Sequence, residues 1–244
     1  MVQRKIKRLF KKYTGKLFFP DAQLSYAQFG EDLIMAHFFA QAGIAQPSYL
    51  DIGANEPRYI SNTYFFYEKG ASGVLIEPNP YLAKKLSKFR KNDNVVNAGI
   101  GLTDQAAADF YLFPNQYNGL STFSKEEAEH WAHTGMKGLG KVSYEKVIQM
   151  PLIAVNDILQ KYFEDRAPHI LSLDVEGLDL QILQSLDFNR WQPAMICVET
   201  LQYDSQQNGF KNNSIISFMQ EKNYAVYADT WVNTLFCKKE LITK

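Results

Sequence analysis

Short, almost unbroken apolar runs punctuate this chain at 49–52, 73–76, 95–98, 169–173 and 195–198. Between them lie longer stretches whose apolar residues recur three and four positions apart, at 31–42, 61–69, 81–89, 156–163 and 178–186. The first pattern predicts buried strands and the second amphipathic helices, so strands and helices alternate along the chain. Such alternation predicts an α/β fold with a mostly parallel twisted sheet covered by helices on both faces. The rhythm breaks after Gly101. A strand is expected at 108–113, followed by a polar, glycine-dotted segment at 114–141 that carries Tyr117, Phe123, His130, Trp131 and His133. Regular structure resumes at Val147. The pattern closes with a helix at 214–222 and strands at 224–228 and 234–237, a final hairpin that adds an antiparallel strand to the sheet.

The length of 244 residues suits one such domain with modest additions. Net charge is zero, yet Arg4, Lys5, Lys7, Arg8, Lys11, Lys12 and Lys16 all precede the first acid, Asp21. The chain therefore divides into a basic extension at 1–24 and an acidic domain at 25–244, which argues against a broad basic surface for nucleic acid. Within the extension, Ile6, Leu9, Phe10, Tyr13 and Leu17 fall at helical spacing among the basic residues. Residues 4–18 thus read as an amphipathic helix suited to peripheral contact with an anionic membrane, or as a solvated helix or tail. No apolar run reaches the roughly 20 residues a membrane-spanning helix needs, and no signal peptide is evident. Cys197 and Cys237 sit in apolar strand-like runs without metal-type spacing. They read as buried reduced thiols, as in a cytoplasmic protein that could also lie at the inner face of the membrane.

The chemistry concentrates at strand ends. The strand at 49–52 leads into Gly53-Ala54-Asn55, and the strand at 73–76 ends in Glu77. A parallel strand, a glycine turn and an acid at the tip of the next strand make a nucleoside site, because one carboxylate matches both ribose hydroxyls. Gly53 stands alone, followed by Ala54, Asn55, Glu56 and Pro57. The Gly-x-Gly-x-x-Gly spacing that receives a pyrophosphate is missing, which disfavours a dinucleotide such as NAD. S-adenosylmethionine has no phosphate, and Asp51 and Asn55 suit its cationic sulfonium and amino-acid end. The competing explanation is that Asp51 caps the following helix and Gly53 merely turns the chain.

A second cluster, Asp174-Val175-Glu176-Gly177, lies where the strand at 169–173 meets the helix at 178–186. In open α/β sheets this end of the strands faces the ligand crevice. Asp174 or Glu176 could act as general base on an acceptor hydroxyl. Alternatively the pair, joined by Glu199, could bind Mg²⁺. Helix capping by Asp174 explains the same residues. The segment at 114–145 is the expected lid or substrate loop, its aromatics able to stack on a sugar ring and His130 or His133 to supply a base. A surface helix at 125–131 with a solvated histidine is the plainer explanation. His37 is expected at the core or its boundary. Asn79-Pro80-Tyr81 superficially suggests a base-stacking loop, but it follows the second strand, lacks a second proline and gives no case for nucleic-acid methylation.

Blocks along the chain together resemble the FkbM-type methyltransferases: Ser25-Tyr26-Ala27-Gln28-Phe29-Gly30-Glu31-Asp32-Leu33, Asp51-Ile52-Gly53-Ala54-Asn55, Ser61-Asn62-Thr63, Ile76-Glu77-Pro78-Asn79-Pro80 and Leu173-Asp174-Val175-Glu176-Gly177. The resemblance continues through Ile196-Cys197-Val198-Glu199-Thr200 and Ala228-Asp229-Thr230. It implies a class I, Rossmann-like, S-adenosylmethionine-dependent methyltransferase that O-methylates a sugar, a glycan or another small hydroxylated acceptor. By the same resemblance Gln28, Glu31 and Asp32 fold over the cofactor mouth. Asp51, Gly53 and Asn55 sit at its amino-acid side, Glu77 and Pro78 at its ribose, and Ala98, Gly99 and Ile100 at its adenine. The alternative is a non-catalytic nucleotide-binding or membrane-tethered module that keeps the fold.

Overall fold

The computed structural model describes residues 23–134, 140–175, 177–203 and 209–242. The basic segment expected to touch a membrane at 4–18, and Glu176, lie outside them. The central sheet has seven strands: β1 (Tyr49–Ile52), β2 (Gly73–Ile76), β3 (Asn94–Val96), β7 (Ile170–Leu173), β8 (Met195–Glu199), β11 (Tyr224–Asp229) and β12 (Asn233–Lys238). Their order is β11-β12-β8-β7-β1-β2-β3. Only β12 runs antiparallel to its neighbours, inserted between β8 and β11, which is the expected C-terminal antiparallel strand. β1, β2 and β7 are buried along their whole length, which is why their sequences are continuous apolar runs.

Side-chain alternation sorts the core into two faces. Leu50, Ile52, Val74, Ile76, Leu171 and Leu173 pack beneath the helices Val155–Phe163, Asp179–Ser185 and Asn213–Glu221. Tyr49, Leu75, Ile170, Met195 and both cysteines pack on the other face against the helices Glu31–Gln41 and Tyr64–Glu68. Cys197 and Cys237 are free and buried. His37 departs from expectation: it is exposed and pairs with Gln41 at 3.1 Å, while Met35, Phe38 and Phe39 take the core side of its helix.

The strand expected at 95–98 is divided. β3 ends at Val96, and the chain crosses to β4 (Gly99–Ile100), which joins β6 (Lys146–Ile153) and β5 (Ala107–Leu112) in a separate three-stranded sheet. Between β5 and β6 come a 3₁₀ segment, Asn115–Leu120, and a helix, Lys125–Thr134. Tyr111, Phe113, Ala128 and Val142 give this insertion a small core of its own. The remaining pair, β9 (Leu201–Tyr203) with β10 (Gly209–Lys211), leads into the helix Asn213–Glu221.

One buried cation joins the pieces around β1. Arg90, at the end of the helix Pro80–Phe89, is 1% exposed and pairs through Nε with Asp93 at 2.7 Å. Its Nη2 donates to Tyr49 Oη at 3.0 Å and to Thr63 Oγ1 at 3.2 Å, and its Nη1 to the Pro57 carbonyl at 3.3 Å. Asp93 accepts from Tyr49 Oη and from the Gly73 amide, which ties β1 to β2. Thr63 Oγ1 in turn donates to Asp51 at 2.6 Å. Burial pushes the pKa of Asp93 up, against the pull of Arg90 and of its donors. Removing one partner of such a pair leaves a buried charge unmatched. Arg90→Met is therefore expected to cost about 3–5 kcal/mol in urea unfolding, well above a surface arginine such as Arg166.

Candidate active site

The chain runs from β1 through β2 to β3 in one direction and from β7 to β8 in the other, so a crevice opens beyond the carboxyl ends of β1 and β7. A cavity of about 990 Å³ fills it, within the range of ligand sites and larger than a nucleoside alone requires. At the end of β1, Gly53 adopts φ +83°, and a Cβ there would lie 1.9 Å from the Asp174 carbonyl oxygen. Glycine is thus demanded by the neighbouring strand, not by the ligand. The Gly53 and Ala54 amides do not face a ligand either, since both donate to the Ile76 carbonyl at 3.0 and 3.1 Å. Their bonds extend the β1–β2 pairing by two residues and hold the turn flush with the cavity floor.

Glu77 is the acid at the tip of β2, and only 5% of it is exposed. Its Oε2 accepts from the Asn55 amide and its Oε1 from the Asn79 amide, each at 2.8 Å. Each oxygen keeps acceptor capacity, and the carboxylate lines the cavity. Burial pushes its pKa up to about 7, against the two amide bonds. Asn79 also receives the Tyr81 amide at 3.0 Å and precedes Pro80 at the first helical turn, so Asn79-Pro80-Tyr81 is a helix start.

Asp174 borders the same cavity at the end of β7. Solvent reaches it through the opening, yet protein surrounds it on most sides. That burial, with the charge of Asp179 added, holds its pKa above the ordinary carboxylate range. A side-chain hydrogen bond with Glu199 pulls the other way. Asp179 shapes the loop by accepting from the Val175 and Gly177 amides at 3.4 and 3.2 Å.

Glu77 and Asp174 border one cavity at the carboxyl ends of the strands, and residues 51–226 match the family model described as the methyltransferase FkbM domain. The chain belongs to the FkbM methyltransferase family. It is thereby an S-adenosylmethionine-dependent methyltransferase. Among solved structures, the FkbM methyltransferase of Methylobacillus flagellatus KT is 12% identical, with a TM-score of 0.46 over 79% of this chain and 44% of that one. This chain thus spans less than half the length of that protein. A TehB-like SAM-dependent methyltransferase of Corynebacterium glutamicum is 7% identical, with a TM-score of 0.43 over 96% and 97% of the two chains. The Burkholderia thailandensis 1,6-didemethyltoxoflavin N1-methyltransferase, solved with S-adenosylhomocysteine, is 10% identical, with a TM-score of 0.40 over 95% and 84%. Likenesses this distant leave the assignment resting on the family match. No curated protein matches the chain.

Of the residues expected around the cofactor of this FkbM protein, Gly53, Asn55, Glu77, Pro78, Ala98 and Gly99 line the cavity together with Asp174. The structure does not bring Gln28, Glu31 or Asp51 to it. Asp51 shares the face of Tyr49, opposite Ile52, and its carboxylate is buried against Thr63. Gln28 is exposed, whereas Glu31 is buried and accepts from Thr230 Oγ1 at 2.7 Å and Asn233 Nδ2 at 2.9 Å. The N-terminal block therefore latches the C-terminal hairpin instead of covering the mouth. His133 is exposed on its helix, bonded to the Glu129 carbonyl, and does not border the cavity. Among the described residues no cluster of three or more His, Cys, Asp or Glu side chains could hold a metal ion. The expected Mg²⁺ set of Asp174, Glu176 and Glu199 includes Glu176, which lies outside the described residues. Sequence reasoning named Phe123 in the expected substrate loop but missed Glu56, whose carboxylate meets Lys85 at 2.5 Å on the cavity wall, and Ser121, Thr122, Ser124 and Glu127 from the insertion. The break in rhythm after Gly101 signalled the insertion but not which of its residues face inward.

The pKa of Glu77 sets a pH dependence. Only its ionised form can accept from both ribose hydroxyls, so S-adenosylhomocysteine affinity is expected to fall about tenfold from pH 8 to pH 6, and to lose that dependence in Glu77→Gln, by titration calorimetry. Stability runs the other way. A folded pKa of about 7 against an ordinary 4.5 means that the folded state binds more protons. This contribution, about 3 kcal/mol, is present below the ordinary value and lost as pH rises through 7. The ligand-free melting temperature of the wild type should fall more between pH 5 and pH 8 than that of Glu77→Gln.

Proposed function

We propose that this enzyme transfers a methyl group from S-adenosylmethionine to a hydroxyl oxygen of a sugar, a glycan or another small hydroxylated molecule, with Asp174 as the proton acceptor. The observation that carries this reading is a carboxylate of raised pKa at the strand end beside Gly53, where the amino-acid end of the donor would lie. The donor supplies an activated methyl on a sulfonium, so the protein needs no nucleophile of its own. Asn55 would hold the amino-acid end, Glu77 the ribose hydroxyls, and Ala98 and Gly99 the base.

Asp174 does the work on the acceptor side. Its raised pKa makes it a better proton acceptor near neutral pH than an ordinary carboxylate. As the oxygen–methyl bond forms and the sulfur–methyl bond breaks, the hydroxyl proton passes to Asp174. Glu199 holds that carboxyl in place through their shared hydrogen bond. Glu176 is a candidate for the same role by its place in the motif. Alignment of the two reacting atoms supplies much of the rate, several kcal/mol in well-oriented cases. The acidic lining, with Glu56, Glu77, Glu127 and Asp174 against Lys85, supports binding of a cationic donor. The basic residues at 4–18 support presentation of the acceptor at an anionic membrane surface.

Turnover on a panel of soluble glycans and small alcohols, followed by S-adenosylhomocysteine release, tests the reading. Asp174→Asn is expected to lower kcat by about 10²–10⁴ while leaving S-adenosylhomocysteine affinity within about threefold. Unchanged kcat in this variant would remove Asp174 from the chemistry.

A further inference from the structure

Four strand ends stand in a row along the cavity: Asp174 after β7, Gly53 after β1, Glu77 after β2, and Ala98 and Gly99 after β3. Neighbouring strands lie about 4.8 Å apart, so the row spans roughly 14 Å. A nucleoside whose ribose sits at Glu77 and whose base sits at Gly99 has its edge remote from the ribose aimed beyond β3. What stands there is the insertion. A Cβ on Gly99 would come within 2.4 Å of Cζ of Phe123, so the Phe123 ring lies directly on that glycine. Asn79 donates to Ser121 Oγ at 3.4 Å, which fastens the same wall to the ribose end.

The helix that follows opens with Ser124-Lys125-Glu126-Glu127, a capping box by sequence. In that motif the serine accepts from the backbone amide of the glutamate, and the glutamate side chain returns to the serine amide. Only the first half is made: Glu127 N donates to Ser124 Oγ at 3.1 Å. The Ser124 amide goes to Thr122 Oγ1 at 3.1 Å instead. The Glu127 carboxylate is turned away from its capping partner, fixed through Oε2 by Thr122 Oγ1 at 2.7 Å, and borders the cavity with Phe123. Thr122 Oγ1 thus relays the Ser124 amide to Glu127 Oε2, and Oε1 of this cavity-lining glutamate has no bond among the described residues.

An ionised carboxylate only accepts. On the remote edge of adenine the donor is the 6-amino group, whereas a 6-oxopurine presents a carbonyl oxygen in the same place. We infer that Glu127 accepts a hydrogen bond from the adenine 6-amino group, and that the insertion thereby makes the site selective for 6-aminopurine nucleosides over 6-oxopurine ones. The inference rests on the proposed seating of the nucleoside between Glu77 and Gly99.

Calorimetric titration of the full chain with S-adenosylhomocysteine and with S-inosylhomocysteine tests it. Wild type is expected to bind the adenosyl compound at least about tenfold more tightly, in line with an acceptor left facing another acceptor. Glu127→Gln keeps an acceptor for Thr122 and adds a donor. It should shrink the ratio below about threefold by gaining affinity for the inosyl compound, a gain that structural damage would not give. Equal binding of the two compounds by wild type overturns the inference without any variant, and so does a wild-type ratio preserved in Glu127→Gln. Wild type that binds neither compound instead removes the nucleoside seat on which the inference stands.

Discussion

The cavity keeps its shape because a guanidinium has been taken out of water where four segments meet. Arg90 reaches β1 through Tyr49, the loop after β1 through Pro57, the start of the next helix through Thr63, and the turn before β3 through Asp93. A charge in that position is tolerable only while every donor finds its acceptor, so the four segments have one mutually acceptable arrangement. The rings of Tyr49, Tyr64 and Tyr67 lie within 5.5 Å of the same cation and close it off. The rim that this arrangement fixes, residues 53–63, carries Gly53 and Asn55 on the cavity side. The geometry of the first strand end is therefore inherited from a polar cluster that lies outside the cavity lining.

Much of this architecture is legible in the sequence because a doubly covered parallel sheet writes itself as apolar runs with helical periods between them. The strand ends could be located, and with them Glu77 and Asp174. What could not be read was direction. Asp51 and Ile52 are adjacent, and a shift of one residue reverses which of them faces the crevice. That choice depends on Thr63 and Arg90, 12 and 39 positions away in the numbering. Glu31 was misplaced for the same reason, since its partners Thr230 and Asn233 come from the far end of the domain. His133 illustrates the opposite error, in which an attractive side-chain chemistry carried a residue that its helix turns to solvent. Glu127 had a local explanation in its capping motif, and only the geometry shows that half of the motif is unused.

The electrostatics of the site follow from burial more than from pairing. Glu77 and Asp174 are both held toward their protonated forms by the protein around them, and among the described residues neither has a basic partner to restore the charge. A cationic ligand supplies what the protein withholds. Once the methyl group has left, the sulfur is neutral and that attraction is gone. On the proposed seating of the donor, the same two acids favour its entry and weaken retention of its product, a bias toward turnover that requires no moving part.

The latch between Glu31 and the final hairpin has a consequence for how the molecule is made. β12 enters the sheet between β8 and β11, and its first residue, Asn233, is one of the groups that Glu31 holds. The segment that carries Glu31 therefore waits for one 202 positions later in the chain before its buried carboxylate is fully satisfied. Until then Glu31 keeps the Phe29 amide as a donor but lacks Thr230 and Asn233, and β8 presents an unpaired edge. A nascent chain arrested before residue 233 would be exposed to edge-to-edge association.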